Sequence, residues 1–132
     1  MTVSVLVCDD LASVQSMIRR MLEREGMAVV GTVGSASEML ASYRATRPDV
    51  VLLDYLMPGA SGLSHLRDLL ALDPGAIVVM CSGTGDPVVR AEALTLGAAA
   101  WVLKPIYPLM LADQLRALVK ARQGGVPGRQ SA

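Results

Sequence analysis

Apolar residues follow two alternating rhythms along this chain: short, mainly apolar runs, and stripes recurring at helical spacing. The runs are Val3 to Cys8, Met27 to Val33, Val50 to Leu53, Ala76 to Cys81 and Ala99 to Leu103. A strand with one wet face alternates apolar and polar residues, so the continuous run Val50 to Leu53 predicts a strand buried on both faces, and Ala76 to Cys81 reads as another buried strand. Val14, Met17, Ile18, Met21 and Leu22 form the first stripe, predicting an amphipathic helix with Arg19, Arg20 and Glu23 pointing elsewhere. Met39, Leu40 and Tyr43 give a second helix its core side, and Leu63, Leu66, Leu69 and Leu70 a third. The stripe ending at Leu96 is short and weak. In the last helix Leu111, Leu115, Leu118 and Val119 face inward, with Arg116, Lys120 and Arg122 outward.

Local signals mark the ends of these elements. Gly26 suits the left-handed position just past the first helix. Ser35-Ala36-Ser37-Glu38 matches a capping box, and Pro48 closes the helix that follows. Asp73-Pro74-Gly75 is a turn signal. Asp86 and Pro87 read as an N-cap and first helical residue, Gly97 stops that helix, and Pro108 opens the last one. Five strands alternating with five helices predict an α/β domain over residues 1–122: a doubly wound parallel sheet, helices on both faces, right-handed crossovers. Residues 123–132 lack periodicity and contain three glycines, which predicts a flexible tail or the start of a linker.

At 132 residues and 13.9 kDa the chain is long enough for one core without metal or disulfide staples. Twelve basic residues balance twelve acidic ones, so no net field draws it to nucleic acid or an anionic membrane. No apolar stretch approaches the ~20 residues of a membrane helix, and the start lacks a signal-peptide pattern, so a cytoplasmic location is expected. Cys8 and Cys81 have neither CxxC nor metal-ligand spacing and read as reduced, buried small hydrophobes.

Parallel topology brings every strand's C-terminal end to one edge, where open sheets bind ligands. The polar residues at those ends are Asp9 and Asp10, Asp54, Ser82 and Lys104. No Gly-rich fingerprint follows the first strand, which counts against a dinucleotide site. Each residue has a plain structural reading: a helix cap for the acidic pair, strand ends for Asp54 and Lys104, a turn for Ser82. Their joint placement favours chemistry. Three close carboxylates resist ionising together, and oxygen-only ligands favour a hard cation such as Mg²⁺. Lys104 is one of only two lysines in the chain. A carboxylate nucleophile, a cation, an ammonium and a hydroxyl are the parts phosphoryl transfer requires.

These residues resemble the receiver domain of two-component response regulators, the group that includes the chemotaxis regulator. The resemblance spans residues 3–122 and rests on Asp9-Asp10, Asp54-Tyr55-Leu56-Met57-Pro58 with Gly62, Ser82-Gly83 and Lys104-Pro105, in that order. It implies a flavodoxin-like fold with strand order 2-1-3-4-5, which would put Cys8 and Cys81 about two strand spacings apart, too far for a disulfide. It also implies that Asp54 accepts phosphate from a sensor histidine kinase or phosphotransfer protein. Mg²⁺ would be held by Asp10, Asp54, the backbone carbonyl of Leu56, and Asp9 through water. Lys104 would pair with a phosphoryl oxygen, and the Lys104–Pro105 bond would be cis. Ser82 would then move toward the phosphate, letting Trp101 turn inward and altering the surface of the fourth helix, fifth strand and fifth helix. That surface would meet a downstream effector or output domain, or a second copy of the chain.

Trp101 stands where the family usually has Tyr, Phe or His, and the larger indole predicts strain or an incomplete swing. Leu56 and Thr84 flank the acceptor where they influence water access, and an apolar Leu56 predicts slow loss of phosphate. Beyond self-directed phosphotransfer and dephosphorylation, no enzyme activity is expected. The other readings are the receiver piece of a longer DNA-binding regulator, a Mg²⁺-dependent phosphohydrolase, and a receiver-like module that works without phosphorylation. A second acid near Asp54 is missing for the hydrolase, and this domain offers no nucleic-acid or membrane surface of its own.

Overall fold

The short apolar runs become the strands of a five-stranded sheet in the computed structural model, which describes residues 2–123. The elements are β1 (Ser4–Cys8), α1 (Ala12–Arg24), β2 (Ala28–Val33), α2 (Ala36–Thr46), β3 (Val50–Asp54), α3 (Gly62–Leu72), β4 (Val78–Ser82), α4 (Pro87–Leu96), β5 (Ala100–Leu103) and α5 (Pro108–Gln123). All pairings are parallel and the order is β2-β1-β3-β4-β5, the flavodoxin-like arrangement expected. α5 reaches Gln123, one residue into the expected tail, and residues 124–132 lie outside the described residues.

Strand side chains alternate between two helical layers, and β3 shows why its run must be continuous. Val51 and Leu53 face a cluster with Met39 and Tyr43 of α2, Leu66 and Leu69 of α3 and Ala93 of α4. Val50 and Leu52 face the other cluster, with Ile18 and Leu22 of α1 and Leu111, Leu115 and Val119 of α5. Cys8 lies in the first cluster and Cys81 in the second, so the two free thiols sit on opposite faces of the sheet. A buried leucine such as Leu66 is worth roughly 2–5 kcal/mol against alanine.

Two expected helix faces need correction. In α1 the buried positions are Ile18 and Leu22, while Met17 is 48% exposed and Met21 half-buried. The stripe is therefore narrower than the spacing of apolar residues suggested, because unbranched methionine is tolerated on a wet face. Arg116 is not simply outward: its guanidinium donates to the Glu25 carbonyl and ties α5 to the end of α1. The weak stripe of α4 matches its packing, since Ala93 is its one buried residue.

The end signals are realised as specific bonds. Ser35 Oγ accepts from the Glu38 N–H (3.3 Å) and donates to its carboxylate (2.9 Å), and Asp86 Oδ1 accepts from the Val88 N–H at 2.9 Å. α2 stops one residue before Pro48, at Arg47, which is left-handed (φ 45°) and donates its N–H to the Tyr43 carbonyl. His65 on α3, whose burial the apolar spacing gave no reason to expect, is 1% exposed.

Gly62 closes the loop between β3 and α3. A Cβ there would stand 2.5 Å from the Tyr55 carbonyl oxygen and 2.7 Å from its Cα. Those are backbone atoms, so relief requires moving the loop that follows Asp54. Gly62→Ala should lower unfolding free energy by about 1–3 kcal/mol, visible as a reduced midpoint in urea with an unchanged slope.

Candidate functional site

Strand ends deliver the polar residues to one pocket. Asp9 follows β1 directly, Asp54 and Ser82 are the last residues of β3 and β4, and Lys104 follows β5. Register keeps these ends level: Cys8 pairs with Leu53, Asp54 with Cys81, and Ser82 with Leu103. Carboxylate oxygens of Asp9, Asp10 and Asp54 lie within 4.8 Å of one another. Asp9 and Asp54 are buried, at 2% and 7% exposure, whereas Asp10 is exposed.

Lys104 crosses the pocket to reach two of the acids. Its ammonium stands 3.4 Å from Asp9 Oδ2 and 3.4 Å from Asp54 Oδ1. Burial pulls the lysine's pKa down, but the charges of Asp54 and Asp9 outweigh it and leave the pKa raised. At Asp54 burial dominates and pushes the carboxyl up, helped by the negative charge of Asp9. The Leu56 N–H, donating to Asp54 Oδ1 at 3.2 Å, and the Lys104 ammonium pull the other way without cancelling it. One ammonium thus stands among three carboxylates while touching only two, and Asp54 stays reluctant to ionise.

That imbalance fits a divalent cation. The donor set is all oxygen, three carboxylates converge, and one of them opens to solvent, as a hard ion that keeps some of its water requires. Asp9, Asp10 and Asp54 are the side chains able to hold Mg²⁺.

Around the acids lies a connected hydrogen-bond path. Ser82, 1% exposed, accepts the Thr84 N–H on Oγ at 3.0 Å, so its own proton remains free to be donated outward. The Thr84 carbonyl accepts from Trp101 Nε1 at 3.3 Å. Trp101 is 8% exposed, and its ring lies 5.6 Å from that of Tyr55, tilted by 55°. Leu56 is 70% exposed beside Asp54. The Lys104–Pro105 peptide is cis.

Asp9, Asp10, Asp54 and Lys104 are therefore brought together directly, with Ser82 at the adjoining strand end. Trp101 touches the site through Thr84 and Tyr55 rather than through the acids. The residue list read from strand ends misses Gln15, whose amide donates to the Asp9 carbonyl at 2.6 Å from within α1. It also misses Tyr55 as the partner of the indole. Gln15 lies beside the apolar stripe of α1, where a polar residue reads as solvated unless side-chain reach to the preceding loop is considered.

Comparison with known proteins places this geometry in a wider set. A family described as "Response regulator receiver domain" matches residues 5–116. The chain is 28% identical over 116 residues to the chemotaxis protein CheY of Thermotoga maritima, covering 88% of this chain and 97% of that protein. It is 34% identical over 118 residues to CheY of Listeria monocytogenes, covering 89% and 96%. Among solved structures it superposes on a LuxR-family two-component response regulator from Aurantimonas with a TM-score of 0.85 and 29% identity, covering 92% of this chain and 87% of the other.

The charge balance sets a pH dependence. Asp54 holds its proton more tightly folded than unfolded, so ionising it opposes folding. That opposition is absent below the unfolded pKa of about 3.9, grows as pH rises toward the raised folded pKa, and is complete above it. Asp54→Asn should therefore melt at a higher temperature than the parent at about pH 7 without divalent ions, and at the same temperature near pH 3. Added Mg²⁺ should narrow the neutral-pH gap.

Proposed function

The chain belongs to the response regulator receiver family, and from that membership we propose that it is a phosphoacceptor switch of two-component signalling in which Asp54 takes the phosphate. The observation that carries this is the convergence of Asp9, Asp10, Asp54 and Lys104 at one end of a parallel sheet. In the reaction, a carboxylate oxygen of Asp54 attacks the phosphorus of a phosphohistidine on a sensor kinase or phosphotransfer protein. The phosphorus–nitrogen bond breaks and the imidazole leaves with the electron pair. Mg²⁺ bound by Asp9, Asp10 and Asp54, with the Leu56 carbonyl, would offset the charge of the phosphoryl oxygens.

Each remaining side chain has a matching task. Lys104 already spans the pocket and can exchange a carboxylate partner for a phosphoryl oxygen. Ser82 has a hydroxyl proton to donate to another. Moving Ser82 strains its link to Thr84, and through the Thr84 carbonyl the change reaches the Trp101 indole. Trp101 lines a groove of about 290 Å³ with Leu103, Tyr107, Met110 and Gln114. Leu103, Tyr107, Leu109 and Met110 are at least half exposed there, an apolar surface on β5 and α5 suited to a downstream partner or a second copy. Phosphorylation would thus be read out on the α4–β5–α5 face.

Leu56 has no group that can orient an attacking water, which supports a long-lived phosphate. The chain would act as a signalling switch with no catalysis beyond its own phosphate transfer and loss, in the cytoplasm; among the described residues no helix is long and apolar enough to cross a membrane.

Incubation with Mg²⁺ and acetyl phosphate, followed by mass spectrometry, tests the assignment. The phosphate should map to Asp54, and Asp54→Asn should carry none; label at another residue would overturn the reading. Trp101, the sole tryptophan, should change its fluorescence on phosphorylation in the parent and not in Asp54→Asn. Leu56→Asn should lose the phosphate faster than the parent.

A further inference from the structure

Asp9 is held at every polar atom. Its N–H donates to the Val33 carbonyl of β2 at 2.9 Å, and its Oδ1 accepts the Leu11 N–H at 3.0 Å. Its Oδ2 faces the Lys104 ammonium, and its backbone carbonyl accepts the Gln15 amide at 2.6 Å. The last of these is made by a side chain outside the acidic pocket. Gln15 continues α1 with its own N–H, which donates to the Leu11 carbonyl at 3.0 Å, while its side chain turns back to the peptide joining Asp9 to Asp10.

That peptide decides where Asp10 points. The Asp9 carbonyl and the Asp10 N–H share one rigid plane, so fixing the oxygen fixes the direction in which the Asp10 residue begins. Asp10 is exposed, and its carboxylate has no hydrogen-bond partner among the described residues. Leu11, at the N-cap of α1, contributes no side-chain cap, so the turn carrying Asp10 depends on Asp9 and Gln15. Gly34 runs close beside the bond: a Cβ there would lie 3.6 Å from the Asp9 oxygen and 3.7 Å from Gln15 Nε2. Gln15 is also neutral, and fixes the turn without adding a cation that would compete with a metal for the carboxylates.

We propose that Gln15 is a positioning residue for the acidic pocket, holding the Asp9–Asp10 peptide so that the Asp10 carboxylate is presented to a divalent cation. This rests on the reading of the pocket as a Mg²⁺ site. Partners that orient a metal ligand from outside its shell influence affinity strongly even though they never touch the ion.

Calorimetric titration of the full chain with Mg²⁺, well below its melting temperature, tests the role. Gln15→Met keeps the length but loses the donor, and its Mg²⁺ dissociation constant should rise about tenfold. Gln15→Asn keeps the amide but is one methylene too short to reach, and it should behave the same way. Arg19→Met is the control: that side chain also ties α1 to β2, through the Val29 carbonyl at 3.3 Å, but stands apart from the pocket. It should lose stability and bind Mg²⁺ as the parent does. Parent-like affinity in both Gln15 variants, or equal weakening in Arg19→Met, would overturn the positioning role while leaving the metal site standing. A parent that takes up no Mg²⁺ would instead sink the metal reading, and the role of Gln15 with it.

Discussion

One ammonium facing two buried carboxylates is the constraint around which this pocket is built. Lys104 reaches Asp9 and Asp54 equally, and without it their mutual repulsion would be unopposed by any charge among the described residues that the pocket brings close. The neutralisation is deliberately short: Asp10 stands within reach of the same atoms with no cation of its own. A pocket balanced by protein charges alone would hold no metal, and one with no lysine would be hard to keep folded. The shortfall is what makes the site receptive.

The fold supplies the precision. Each pocket acid or hydroxyl is anchored at the end of a strand whose sequence is apolar on both faces, so helices on either side hold it in register. Asp54 cannot shift without moving β3, which is buried throughout. By contrast, the side of the pocket toward Trp101 is held more loosely. In α4 only Ala93 is fully buried, with Val89 and Leu96 packed partly against the core, and the Ser82–Thr84–Trp101 path runs through the loop before it. A firmly held Asp54 beside a more lightly held helix is the combination a two-state element needs.

Most of this was legible in the residues. The runs of β3 and β4 read as buried strands and are buried throughout, and the strand ends then named Asp9, Asp10, Asp54, Ser82 and Lys104. What escaped did so for physical reasons. Met17 matched the helical spacing of α1 yet lies exposed, because periodicity reports apolar character and not which side the sheet occupies. Arg116 and Gln15 looked solvated because their partners are backbone carbonyls, which leave no mark in the side-chain pattern. The buried, hydrogen-bonded indole of Trp101 depends on the course of the loop at Thr84, and loop geometry is weakly encoded at the level of residue type.

The placement of the two cysteines has a practical consequence. Burial raises both thiols, Cys81 to about 12, and keeps them in opposite layers of the core. Neither can be reached by an alkylating reagent until its own layer parts from the sheet. Comparing the labelling rates of Cys8 and Cys81 would therefore time the loosening of the two halves separately, using chemistry the chain already carries.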